Sequence, residues 1–377
     1  MPVDEFDVAV LGLGGMGSQT LLHLAKAGCQ VIGVDQYFPP HTYGSSHGLS
    51  RLIRKGYFEH PEYVPLIERA FELWAALQQQ GSQNLWTQCG ILEGGPENGT
   101  LVQGLQKSIE QHNLDLPIVS AENVARRYPG FNLPSHWQMH FEKEAGFLRP
   151  EACIETALGL AKQLGATQSL GHPIEEMTSL NRGVEIVTRA RRIIAAKVVL
   201  TLGPWSPLWK SHVDIPIRLL HKRLLWFRPS HQNHWLQGNC PCFLFESENQ
   251  FFYGMPAYDQ VGLKLARHDG GVPIQSVHQQ VDATEEEHSV LDFAARHFTP
   301  SLEHVEQTAS CRYSMSADEQ FVFGQSPLDP RIHYLAGLSG HGFKFATVLG
   351  EVMSRWVLSD ELAEDAQFLH RRRFTSN

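Results

Sequence analysis

The stretch Phe6-Asp7-Val8-Ala9-Val10-Leu11-Gly12-Leu13-Gly14-Gly15-Met16-Gly17 decides the fold. Phe6 to Leu11 reads as a buried strand, and residues 15 to 27 read as a helix. The glycines between and within them fit G-x-G-x-x-G in the setting that motif requires. Gly12 allows the tight turn, Gly14 lets backbone approach a pyrophosphate, and Gly17 lets helix and strand pack closely. The helix start offers unpaired N–H groups and the positive end of its dipole to phosphates. A second strand, Gln30 to Val34, leads to Asp35. A carboxylate there accepts hydrogen bonds from ribose hydroxyls and repels a 2′-phosphate, so FAD or NAD fits better than NADP. The motif leaves FAD and NAD open. Its place near the start of the chain favours FAD.

Working outward, 377 residues predict two or three domains. The chain is 42% hydrophobic and 19% charged, which excludes disorder as its main state. Its 31 basic and 40 acidic side chains give −9, which argues against a nucleic acid as the main partner. Six scattered cysteines make no disulfide framework. Met1 to Asp7 is acidic where a signal peptide is basic. No apolar run approaches a membrane span. A cytoplasmic, reduced, globular protein is expected. Helical spacing covers 62–80, with helices also near 150–164, 284–297 and 343–358. Lys197 to Leu202 reads as a strand, and 215–268 and 306–336 read as mostly strand. The expected fold is mixed α/β. A discontinuous Rossmann-like domain (1–85, 145–215 and 311–377) carries an inserted mixed β-sheet domain (86–144 and 216–310). The pair Cys240 and Cys242 has no second pair nearby, so no metal site is expected. His370 to Arg373 reads as a solvated tail.

Four further segments carry a family resemblance. Pro39-Pro40-His41-Thr42-Tyr43-Gly44-Ser45-Ser46-His47-Gly48-Leu49-Ser50-Arg51-Leu52-Ile53-Arg54 is the first. Tyr253-Gly254-Met255-Pro256 with Leu263-Lys264-Leu265-Ala266-Arg267-His268 is the second. Cys311-Arg312-Tyr313 with Asp318-Glu319-Gln320-Phe321 is the third, and Gly337-Leu338-Ser339-Gly340-His341-Gly342-Phe343-Lys344-Phe345 the fourth. In order and spacing the chain resembles the monomeric sarcosine oxidase and N-methyl-L-tryptophan oxidase family. Leu338 to Glu351 leans toward the second type.

The resemblance implies a flavin-dependent oxidase of N-methyl amino acids. Hydride would pass to FAD and then to O2, leaving amino acid, formaldehyde and hydrogen peroxide. It implies FAD held covalently by Cys311 and a largely monomeric protein. Arg54 and Lys344 match the pair that binds the substrate carboxylate. Lys264 matches the lysine that promotes the reaction with oxygen; alternation places it on one face with Ala266 and His268. His268 and His341 match histidines near the flavin, and Tyr253 and Tyr313 match aromatic residues of the substrate cavity. Arg51, with Ser45 and His47 on the preceding loop, is expected along the flavin ring, and Gly340 and Gly342 beside it. Glu59 is a possible partner for one of these cations. Two positions depart from the family loop: Ser46 stands in place of a histidine, and Leu49 where aspartate is common. An oxidase of a cyclic imino acid, a glycated amine or another amine is the alternative on this scaffold. An NAD-dependent dehydrogenase or a non-catalytic flavoprotein are the alternatives of another class.

Overall fold

The computed structural model describes residues 3–228, 232–299, 302 and 304–374. Val3–Leu11 pairs in parallel with Val31–Asp35 on one side and Arg192–Leu200 on the other. Thr167–Leu170 and Ile332–Ala336 extend this parallel core. Among the described residues the sheet has eight strands, its antiparallel members being Ile174–Leu180, Gly183–Thr188 and Val322–Gln325. Side chains alternate between its faces as a strand demands. Val8 and Val10 join one apolar cluster, with Leu21, Leu66, Ile154 and Leu349 from four helices. Ala9 and Leu11 join the cluster on the opposite face. Those helices are Gly15–Lys26, Tyr63–Gln80, Pro150–Gln163 and Ala346–Ser359.

A second sheet has nine strands among the described residues. Its longest pairing joins Arg218–Phe227 to Val305–Met315, antiparallel, with Lys222 opposite Cys311. Leu263–Arg267 shows the expected two faces. Leu263 and Leu265 enter one cluster, while Ala266 enters the other and Lys264 lies over the Trp226 ring on that same side. A three-stranded sheet, in which Gly146–Leu148 pairs with Arg51–Ile53 and Trp86–Gln88, lies at the crossings between the two. The helices Thr100–His112 and Ala121–Arg127 escaped sequence reading; each carries few apolar residues.

Two expectations change. Gly340 to Gly342 leads first into a 3-10 turn, Phe343–Phe345, and the α-helix starts only at Ala346. The segment His370 to Arg373 is not a loose tail. Arg373 pairs with Asp318 at 2.6 Å and Arg371 pairs with Asp214, because both carboxylates face the docked turn.

The glycine turn behaves as its spacing predicts. Gly12 has φ +92°, a region that a side chain disfavours. A Cβ on Gly17 would lie 1.8 Å from the Gly12 carbonyl oxygen. We therefore expect Gly17→Ala to lower unfolding free energy by about 2 kcal/mol or more, through overpacking. Gly159, in the exposed face of Pro150–Gln163, has nothing within 4 Å of its Cβ position. Gly159→Ala is expected to stabilise by roughly 0.5–1 kcal/mol through helix propensity. Urea unfolding of both variants checks the pair, and equal effects would contradict it.

Candidate active site

Two adjoining cavities lie between the sheets. The larger, about 260 Å³, runs from Gly12, Gly14 and Asp35 to Arg51, Cys311 and Gly340. The smaller, about 60 Å³, is lined by Arg54, Glu59, Tyr253, His268, His341 and Lys344 among others. Arg51, Cys311, Tyr313, Gly340 and Phe343 border both. Gly342 and Ser45 line the larger cavity.

The larger cavity is built from the strand ends and the loop after the second strand. Asp35 accepts from the amides of Leu13 (2.7 Å) and Tyr37 (2.8 Å), which fixes its carboxylate at the strand tip. Burial raises its pKa. Ser46 accepts from Gly15 N at 3.0 Å, so this departure from the family loop ties the loop to the helix start. Leu49 has φ +67°, a conformation that costs a branched residue about 1–2 kcal/mol and that Asp tolerates better. Glu151 holds it by accepting from the Gly48 and Leu49 amides, and the Tyr258 hydroxyl donates to the Leu49 carbonyl at 2.7 Å. Arg51 donates to the carbonyls of Ser50 (2.9 Å) and Ser45 (3.0 Å), and its Nη2 lies 3.7 Å from Cys311 Sγ.

His47 and Lys264 stand behind this loop and line neither cavity. Lys264 Nζ donates to the carbonyls of Gly48 (2.8 Å) and Ser50 (2.9 Å). Burial, then the Arg51 charge, pushes its pKa well below the ordinary lysine value. Burial first, with Arg51 and Lys264 next, pushes His47 down to about 3, and its Nε2 has no partner.

The smaller cavity is a cluster of buried charges. Arg54 presents Nη2 to both oxygens of Glu59 at 2.9 Å, donates to the Gly56 carbonyl, and has Nε 3.2 Å from Glu93. Burial is the largest single influence on Glu59 and raises its pKa, but Arg54, His341, Lys344 and His268 together outweigh it and the pKa falls to about 2. At Glu93 burial wins and the pKa rises to about 8. Lys344 donates to the His341 carbonyl at 2.9 Å; burial first, and then Arg54, push its pKa down to about 7. The Trp74 indole N–H fixes the Lys344 carbonyl at 2.7 Å. The His268 ring lies 6.3 Å from that of Tyr253 and 5.9 Å from that of Tyr313. His341 Nε2 lies 3.0 Å from the Glu319 carbonyl oxygen, which can only accept. Its Nδ1 therefore accepts from the Tyr57 hydroxyl, as a neutral imidazole. Sequence reading missed Glu93 and Tyr57. Glu93 was detectable as a lone carboxylate in the apolar, glycine-rich run Ile91–Pro96.

The larger cavity fits a dinucleotide. No Cβ fills the space over Gly14, where the nearest atom would be Ser46 Oγ at 3.4 Å. Ser314 Oγ is buried along the wall with no partner in the protein. Fold and site together define a dinucleotide-binding oxidoreductase in which Tyr253 and Tyr313, from the second sheet, line the smaller cavity. A family model described as FAD dependent oxidoreductase matches residues 7–356, and the chain belongs to that family. It is 35% identical over 360 residues to the N-methyl-L-tryptophan oxidases of Yersinia pestis (strain Pestoides F) and Yersinia pseudotuberculosis serotype O:1b, covering 92% of this chain and 94% of theirs. Among solved structures, NikD, an amino acid oxidase of nikkomycin biosynthesis, superposes with TM-score 0.85 at 19% identity over 97% of each chain. L-proline dehydrogenase from P. horikoshii gives 0.82 at 17% over 99% of each. Both share the fold. Among the described residues no helix is long and apolar enough to cross a membrane.

The His341 pKa is depressed from 6.5 to about 3, by burial above all. The group takes up its proton only on unfolding, so its contribution is complete above about pH 6.5 and is lost as pH falls toward about 3. Between about pH 6 and pH 4 it adds one proton to the slope, ~1.4 kcal/mol per pH unit. His341→Gln should flatten the pH dependence of urea stability by that amount; an unchanged slope would contradict the buried neutral ring.

Proposed function

We propose that this FAD-dependent oxidoreductase oxidises N-methyl and other secondary amino acids. The observation that carries the reading is the pair Arg54 and Lys344 in a buried chamber that shares Cys311 and Arg51 with the dinucleotide cavity. The similarity to N-methyl-L-tryptophan oxidases supports it. FAD, when bound, supplies the electron sink that takes a hydride from the carbon beside the amine and hands the electrons to O2 as hydrogen peroxide.

The chain's own residues supply binding and electrostatics. The Arg54 fork suits a carboxylate, and Lys344 adds a point charge. A substrate carboxylate would take over a place that Glu59 now fills on Arg54. Tyr253 and Tyr313 give apolar walls with a hydroxyl handle. His268, pushed down to about 4 by burial, stays uncharged beside an amine at neutral pH. Lys264, pinned by the Gly48 and Ser50 carbonyls behind the loop that carries Arg51, holds its amine at a fixed point, and by the resemblance it is the lysine that promotes the reaction with oxygen. Asp35, Gly12 and Gly14 would hold the dinucleotide, with Gly17 packing beneath. Arg51, Ser45, Gly340 and Gly342 would lie along its reacting end, with His47 buttressing the loop. Cys311 would carry the flavin as a thioether, since its sulfur lies at the junction of the two cavities. This reading includes the division of the chain at 1–85, 145–215 and 311–377 against 86–144 and 216–310, a monomeric state and a cytoplasmic setting.

A panel of N-methyl amino acids, cyclic imino acids and glycated amines, read by coupled peroxide detection, tests the function. Turnover of the N-methyl acids is expected, and peroxide from none of them would overturn it. Arg54→Ala should raise KM for such an acid by about tenfold or more, the worth of a charge-assisted pair, with flavin content unchanged. An unaltered KM would remove Arg54 from binding. Acid precipitation should leave a yellow pellet for the native chain and a white one for Cys311→Ser; a white native pellet excludes the covalent link.

A further inference from the structure

We propose that Cys89 and Cys242 form a redox modification site, a reversible disulfide closed by hydrogen peroxide, outside both cavities. Their sulfurs lie 3.6 Å apart. Cys89 is half-buried at the bend before Ile91–Pro96, and Cys242 opens the buried strand Cys242–Ser247. These strands are parallel neighbours with Ile91 opposite Cys242. The backbone is held on both sides: Cys242 N donates to the Gly90 carbonyl at 2.9 Å, and Cys89 N and Gly90 N donate to the Ala145 carbonyl at 3.2 and 2.9 Å. Gly90, at φ +74°, makes the bend that turns Cys89 toward Cys242. Side-chain rotation is thus the main movement needed to reach the roughly 2.05 Å of a disulfide.

The two thiols are unequal. The hydrogen bond from Cys242 lowers the Cys89 pKa, while burial raises that of Cys242. Cys89 is therefore the nucleophile, and solvent reaches it. Its thiolate attacks one peroxide oxygen; the O–O bond breaks, giving a sulfenic acid and hydroxide, which takes a proton to become water. Cys242 then loses its proton, its sulfur attacks Cys89 Sγ, and the S–O bond breaks with loss of a second water. In sum, two thiols and one hydrogen peroxide give a disulfide and two waters. The pair of sulfurs loses two electrons, and the peroxide gains them.

The source of peroxide rests on the oxidase reading, since that reaction releases it within the same molecule. The bond would clamp the bend that leads into the strand bearing Glu93, the partner of Arg54. Cys240 is a nearby third thiol, but its Sγ–H is directed to the Pro241 carbonyl at 3.2 Å.

The test treats the flavin-loaded protein with added hydrogen peroxide, then alkylates, digests and maps peptides by mass. A Cys89–Cys242 linked peptide is expected, with loss of both thiols, reversal by dithiothreitol and a raised unfolding midpoint. Cys240→Ser should form the same link. Cys242→Ser should give none and leave a Cys89 sulfenic acid that dimedone traps. Persistence of both free thiols, a link to Cys240, or oxidation of Cys89 without a link would overturn the proposal. Added peroxide separates the two readings. A protein that links but oxidises no amine contradicts only the oxidase, and one that oxidises amines but never links contradicts only this inference.

Discussion

A guanidinium buried beside two carboxylates governs the architecture around the site. Arg54 is 2% exposed, and an uncompensated charge there would cost several kcal/mol. Glu59 supplies the compensating charge, and Glu93, pushed up to about 8 and mostly protonated at neutral pH, supplies a second carboxyl contact. Glu59 follows it in the chain, while Glu93 comes from the second sheet, in Ile91–Pro96. The contact of Arg54 with Glu93 therefore ties the second sheet to the short strand Arg51–Ile53, whose other end carries Arg51 to the dinucleotide cavity. Burial above all sets the protonation of the neighbouring groups. Glu93 moves up to about 8, Lys344 moves down to about 7, and His341 and His268 stay neutral. On the proposed reading, a substrate carboxylate would replace Glu59 on Arg54.

The strand Val305–Met315 joins the two halves of the chemistry. It pairs along Arg218–Phe227 in the second sheet, yet it places Cys311 and Tyr313 on the border of both cavities. Lys222, opposite Cys311, is buried against Glu286 of the helix Thr284–His297, so this stretch is backed by a further compensated charge. Close approach of the loop at Gly340 completes the border. A Cβ there would enter the Tyr313 ring at 2.2 Å. Large chambers between rigid sheets need such small residues where backbone passes aromatic rings.

Local signals made much of this legible in the sequence. The strand, glycine turn and helix of residues 3–26 follow from patterning alone, as does the alternation that sets Lys264 against Leu263 and Leu265. The resemblance brought together Arg54, Lys344, Tyr253, Tyr313, His268 and His341, and the structure gathers these residues around one chamber. What the sequence hid is what depends on distant partners. Glu93 is read as a strand residue until Arg54 is seen beside it. Ser46 looks like a loss from the loop until its hydroxyl meets Gly15 N. Alternation sets the face of Lys264, but not that its amine turns to the carbonyls of Gly48 and Ser50. The terminal arginines look solvated until Asp214 and Asp318 are found opposite them.

The central claim, proposed above, is that the buried chamber bearing Arg54 and Lys344 selects an amino acid by its carboxylate for oxidation by FAD bound alongside. Anaerobic mixing of the flavin-loaded protein with N-methyl-L-tryptophan and, separately, with its carboxamide tests this most directly. The acid should bleach the visible flavin absorbance, while the carboxamide at the same concentration should leave it yellow. Equal bleaching by both, or bleaching by NADH and by neither amine, would contradict the account.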